Sequence, residues 1–138
     1  MELSTALHYV YNSPVDKIVW DVGHQSYVHK MLTGRRDRFH TIRKRGGLGP
    51  FTDPNESIHD QFISGHAGSA LSVSAGLAAA NPDKNVAVVI GDASFANGTT
   101  LEALNDINGK LKNLTIVIND NEMSIGENVG AISGILNK

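Results

Sequence analysis

Val86–Asn121, VAVVIGDASFANGTTLEALNDINGKLKNLTIVINDN, decides the fold. Val86 to Ile90 is an unbroken apolar run ending at Gly91-Asp92, the pattern of a strand buried on both faces in a helix-covered parallel sheet. A polar, glycine-bearing loop follows. Thr99-Thr-Leu-Glu102 has the form of a capping box, and Leu101, Leu104 and Ile107 continue at helical spacing, so a helix is predicted that stops near Gly109. Leu114 to Ile118 is a second β-branched run. The unit reads strand, helix, strand, long enough for a right-handed parallel crossover.

Both strands end in oxygen donors: Asp92 after the first, and Asn119, Asp120 and Asn121 after the second. If the strands are neighbours, these groups meet at the carboxyl edge, where open α/β sheets bind ligands. A carboxylate, an amide oxygen and backbone carbonyls form an incomplete hard cage, of the kind Mg²⁺ uses when phosphate and water fill its other positions. The plainer alternative is that Asp92 and Asn121 only cap a turn and a strand end.

Working outward, Glu2 to Tyr11 carries Leu3, Leu7 and Val10 on one helical face, and Asn12-Ser-Pro14 ends that helix. Lys17-Ile-Val-Trp20 reads as another buried strand, which places Asp21-Val-Gly-His-Gln25 at its carboxyl end and makes His24 a site candidate or an ordinary polar contact. His29 to Arg45 holds seven of the 12 basic residues with little aromatic interleaving, so it reads as a solvated helical face, with attraction of a phosphorylated substrate as the alternative. Gly46 to Glu56 is an irregular connection, either functional or a segment near the mouth of the site. Ser64-Gly-His-Ala-Gly-Ser69 leads into a helix of small residues ending at Asn81-Pro82. Its glycine-rich start offers N–H groups to an anion, a diphosphate in this reading, while the alternative is a close-packing helix without ligand.

At 138 residues and net charge −2 the chain is expected to form one domain, and gives no electrostatic case for nucleic acid or a membrane surface. Cysteine is absent, which excludes disulfides and thiolate metal sites and fits a cytoplasmic protein. No apolar run is long enough for a membrane span. The sequence contains no P-loop, GxGxxG, HExxH or GxSxG pattern. Both ends read as abrupt, so the expectation is one part of a larger protein.

Gly91-Asp92 with the later Asn121 resembles the thiamine-diphosphate motif, in which GDG opens the loop and asparagine closes it. Asp21-Val-Gly-His-Gln-Ser-Tyr27, His29 to Arg36, Gly46-Gly-Leu48, Ser64-Gly-His66, Asn119 to Ile125 and Glu127-Asn-Val-Gly130 are similar to 1-deoxy-D-xylulose-5-phosphate synthases, a transketolase-like family. The resemblance covers nearly the whole chain but only part of those enzymes' first domain. It implies an α/β, Rossmann-like three-layer domain with a mostly parallel sheet, residues 1–138 being a diphosphate-binding domain incomplete at both ends. It also implies decarboxylation of pyruvate on thiamine diphosphate and condensation with glyceraldehyde 3-phosphate, feeding isoprenoid, thiamine and pyridoxal phosphate synthesis.

By position, Asp92 and Asn121 would ligate Mg²⁺ by side chain and Met123 by its carbonyl. Gly65, His66, Ala67, Ala93 and Ser94 would line the cofactor, and His24 would sit near the diphosphate and move protons. The chain departs from the family pattern at Ala93, where GDG has glycine and where a positive φ would be strained, and at Gly65 to Ser69, a run richer in hydroxyls elsewhere. The upstream SGH histidine and the pyrimidine-binding domain with its activating glutamate lie outside the sequence. Three readings stay open: a fragment or subunit of such a synthase, the N-terminal subunit of a split transketolase, or an inactive truncated module. A homo-oligomer, or a complex with a chain carrying the pyrimidine domain, is expected, and so is self-association through exposed apolar surface.

Overall fold

The computed structural model describes residues 1–107, 109–120, 131 and 134. Helix α1 (Glu2–Val10) is followed by strand β1 (Lys17–Trp20), then by the short helix α2 (Tyr27–Lys30) within a run of tight helical turns. Helix α3 (Ala70–Ala80), strand β2 (Val86–Gly91), the single turn α4 (Asp92–Phe95), helix α5 (Gly98–Ile107) and strand β3 (Leu114–Asn119) complete the described elements. The strands are parallel in the order β1-β2-β3, with Lys17 opposite Val86 and Val86 opposite Leu114. This is the predicted parallel α/β sheet, with β2 at its centre.

Alternation along the strands builds two cores. Val19, Val86, Val88 and Ile90 face α3 and α5, meeting Ala70, Leu71, Ala78 and Ala103. Ile18, Trp20, Ala87 and Val89 face the other way and meet Leu7 of α1. Helices on both faces of one sheet make three layers, the arrangement that explains why β2 is apolar at every position and buried from Val86 to Ile90. Strand β3 is less buried than β2: its residues are half-buried or exposed, because among the described residues it lies at the sheet's edge.

Local details correct several expectations. Leu7 is buried on the apolar face of α1, but Val10, in the last turn, is 71% exposed. The loop expected after β2 is a helical turn, α4. Helix α5 begins before the Thr99 capping box: the Asn97 side-chain oxygen accepts the Thr99 N–H at 3.0 Å, two residues on, so Asn97 is the N-cap and Thr99 lies inside the helix.

The basic run is not simply a solvated face. Arg36, Arg38, Arg43, Lys44 and Arg45 are exposed, but Lys30 and Arg35 are buried. Arg35 forks onto Asp60 at 2.7 and 2.9 Å and reaches Glu56 at 3.0 Å, and Lys30 pairs with the same Glu56. Desolvated cations need such partners. Glu56 closes the irregular connection and Asp60 lies four residues beyond it, so residues 46–60 form a structural strap pinned under the basic turns. The Asp53 N–H and His29 Nε2 also donate to Asp60, and His29 Nδ1 lies 2.8 Å from His8 Nε2 of α1. These contacts make a continuous polar chain from α1 to the strap.

Candidate functional site at the carboxyl edge

The parallel register sets the carboxyl ends of all three strands side by side, with Gly91 opposite Asn119. Asp21 and the His24 turn leave β1, Asp92 leaves β2, and Asn119 and Asp120 end β3. Gln25 spans this edge: its amide nitrogen donates to the Asp21 carbonyl at 2.9 Å and its amide oxygen accepts from Asn119 Nδ2 at 3.1 Å. Oxygen-bearing segments from separate strands are thus assembled where open α/β sheets hold ligands.

Asp92 is buried at the start of α4, and Ser94 is buried two residues further along. Ala93 lies in right-handed helical backbone, and the non-glycine residues with positive φ are Val22 and Arg43 among the described residues, so the alanine that replaces the motif glycine carries no left-handed strain. His24 is exposed on a tight turn, Gly23–Ser26, and Gly65, His66 and Ala67 form an exposed turn just before α3. Asn121 and Met123 lie outside the described residues.

The start of α3 differs from the expected anion site. Gly68 N–H lies 3.0 and 2.9 Å from the two Asp21 carboxylate oxygens, and the Ala70 N–H donates to the same carboxylate at 3.1 Å. The negative charge that favours this helix end is supplied by the chain itself. Those two amides are thus engaged by Asp21, while the preceding turn, residues 65–67, is exposed. Asp21, Gln25, Asn97 and Thr100 were not singled out from sequence. Only Asp21 carried a usable signal, an acid directly after a buried strand in a chain with a glycine-rich helix start elsewhere.

A groove of about 650 Å³ runs between α3 and α5, past Ala75, Gly76, Ala103 and Ile107. It follows the outer sides of the helices and contains none of the candidate residues. Among the described residues no group of three or more His, Cys, Asp or Glu side chains forms a metal cluster, and no helix is long and apolar enough to cross a membrane. Exposed apolar side chains include Met1, Tyr9, Val10, Leu32, Ile58 and Ile63.

Comparison with known proteins places this edge in context. A family model described as 1-deoxy-D-xylulose-5-phosphate synthase matches residues 1–138. A 1-deoxy-D-xylulose-5-phosphate synthase of Fusobacterium nucleatum is 58% identical over 139 residues, covering 100% of this chain and 23% of that relative. One from Caldanaerobacter subterraneus is 54% identical over 142 residues, again 100% of this chain and 23% of the relative. One from Chlamydia trachomatis is 56% identical over 135 residues, 96% of this chain and 21% of the relative. The chain therefore spans less than a quarter of the length of these curated relatives. With its whole length matched, the chain belongs to the 1-deoxy-D-xylulose-5-phosphate synthase family, as a stretch from the N-terminal region.

Proposed function

We propose that this chain is the diphosphate-binding part of a thiamine-diphosphate-dependent synthase that condenses pyruvate with glyceraldehyde 3-phosphate with loss of CO₂, and that it works with a pyrimidine-binding domain lying outside the sequence. The observation that carries this reading is the position of Asp92: a buried carboxylate at the carboxyl end of the central strand, between the carboxyl ends of β1 and β3.

The donor chemistry fits Mg²⁺. Asp92 offers a hard anionic oxygen, and the proposed partners Asn121, by side chain, and Met123, by carbonyl, offer neutral oxygens of the same kind. One protein carboxylate suits a site in which a diphosphate supplies much of the negative charge. The metal would neutralise and anchor that diphosphate; bound thiamine diphosphate would supply the electron sink for decarboxylation.

The chain's own residues would hold and orient. The exposed turn 65–67 would line the diphosphate with Ala93 and Ser94, and His24, exposed on the neighbouring turn, would accept or return a proton at its ring nitrogen. Calorimetric titration with thiamine diphosphate and Mg²⁺, alone and with a chain carrying a pyrimidine-binding domain, tests the reading. Heat lost in Asp92→Ala supports it, and no heat in either setting overturns it in favour of an inactive module. Assay of the assembled pair with pyruvate against ketose phosphates tests donor choice, since turnover of ketose phosphates without CO₂ release identifies a split transketolase instead.

A further inference from the structure

We propose that Asp21, Gly68 and Thr100 form a positioning node that sets the three candidate cofactor segments relative to one another. The inference rests on the thiamine-diphosphate reading and assigns roles to residues that need touch no cofactor atom.

Gly68 is the junction. Its N–H is held by the Asp21 carboxylate at 2.9 to 3.0 Å, and its carbonyl accepts from Thr100 Oγ1 at 3.3 Å. The same hydroxyl makes its shorter bond, 2.8 Å, to the Ser94 carbonyl. All three residues are buried, Asp21 at 1% and Thr100 at 0% exposure. Asp21 stands three positions before His24, Gly68 directly follows the turn 65–67, and Ser94 lies two positions after Asp92. Two short-range links therefore join the β1 turn, the turn before α3 and the α4 turn, each of which carries candidate ligand groups.

Conformation tightens the junction. Gly68 has φ +84, and a Cβ there would lie 2.8 Å from Asn97 Cγ, so neither the backbone region nor the space admits a larger residue without movement. Val22, next to Asp21, has φ 63 and ψ 132, an unfavourable region for a β-branched residue that persists only when its surroundings hold it. The Asp21 clamp holds one side of Val22, and on the other Ser26 Oγ donates to the Gly23 carbonyl at 2.6 Å. The strained residue thus sits between two fixed points, one of them belonging to the node, two residues before His24.

Thr100 allows a clean test, because valine keeps its shape and loses the hydroxyl, whereas serine keeps the hydroxyl and loses the methyl. Either change costs some stability, one through the loss of the hydroxyl's bonds to the Gly68 and Ser94 carbonyls and the other through lost packing. The full chain and both variants are compared by urea unfolding and by calorimetric titration with thiamine diphosphate and Mg²⁺. The node predicts that Thr100→Val weakens cofactor binding by about tenfold or more while Thr100→Ser stays within about twofold, though both lower the urea midpoint.

Equal affinities in the two variants, or losses that simply follow stability, overturn the node and leave the thiamine-diphosphate reading standing. A parent chain that binds no thiamine diphosphate in the presence of Mg²⁺, even beside a chain carrying a pyrimidine-binding domain, overturns both. Should Thr100→Val fail to fold, Asp21→Asn serves in its place: it keeps the shape and one acceptor for the Gly68 N–H. Affinity within about twofold of the parent then overturns the node, and a loss of about fivefold or more supports it.

Discussion

Replacing Asp60 by asparagine changes almost no volume but removes the anion at the centre of the buried network. The Asp60 side chain has 0% exposure and that of Arg35 has 6%. The carboxylate accepts both Arg35 Nη atoms, at 2.7 and 2.9 Å, His29 Nε2 at 3.0 Å and the Asp53 N–H at 2.8 Å. Asparagine turns one of those oxygens into a donor facing a donor and leaves the guanidinium short of a counter-charge. Removing one partner of a buried ion pair costs about 3–5 kcal/mol. Glu56 still contacts Arg35 at 3.0 Å, so the lower end, about 3 kcal/mol, is expected. Against a total stability of about 5–15 kcal/mol for a domain, that is a large share.

Trp20 is the only tryptophan and is 1% exposed, so its fluorescence reports urea unfolding directly. The Asp60→Asn midpoint should fall steeply at pH 7. Acid supplies a second arm. Burial alone would push the Asp60 carboxyl up, but hydrogen bonds from His29, Arg35 and the Asp53 N–H, with the Arg35 charge, hold it well below the usual carboxylate range. A depressed carboxyl contributes stability above its unfolded pKa, about 4, and loses it as the pH falls towards the folded value. The parent should therefore lose its advantage over Asp60→Asn below about pH 4. A loss under about 1 kcal/mol at pH 7, or an advantage that persists in acid, refutes the network as the strap's anchor.

Two further perturbations test the surrounding structure. Burial, together with the neighbouring His29 and His59, lowers the His8 imidazole to about 4. A histidine lowered on folding leaves stability intact above its unfolded pKa, near 6.5, and lets it fall between there and about 4, as the unfolded chain takes the proton first. With His8 only half-buried, the loss should be about 1–2 kcal/mol, read by urea titrations across that window, and His8→Gln should remove most of that slope. Gly76→Ala, in the exposed middle of α3 where a Cβ meets nothing within 4 Å, should raise stability by about 0.5–1 kcal/mol through helix propensity; a lower thermal midpoint contradicts that packing.

The central sheet was legible because burial on both faces leaves a simple trace: Val86 to Ile90 is apolar at every position, and burial of that kind is characteristic of a parallel strand between helices. The carboxyl-edge placement of Asp92 and His24 followed from the same trace. What escaped the sequence depends on long-range partners. Lys30 and Arg35 look like neighbours in a charged run, and only the fold brings Glu56 and Asp60 against them. Asp21 was visible as an acid at a strand end, but its partners, the Gly68 and Ala70 amides, are set by where α3 begins. Thr99 offered a plausible cap by spacing; Asn97, two residues earlier, took the position because its side chain reaches the Thr99 N–H. The Thr100 hydroxyl gave no local signal, since both carbonyls it serves come from other turns.

The most direct test of the account is calorimetric titration of thiamine diphosphate into the chain with and without Mg²⁺, repeated with Asp92→Ala. Saturable, Mg²⁺-dependent binding that disappears in the variant is the predicted result. Binding indifferent to Mg²⁺ or to Asp92, or no binding even beside a pyrimidine-binding partner, would contradict a metal-diphosphate site at the carboxyl edge.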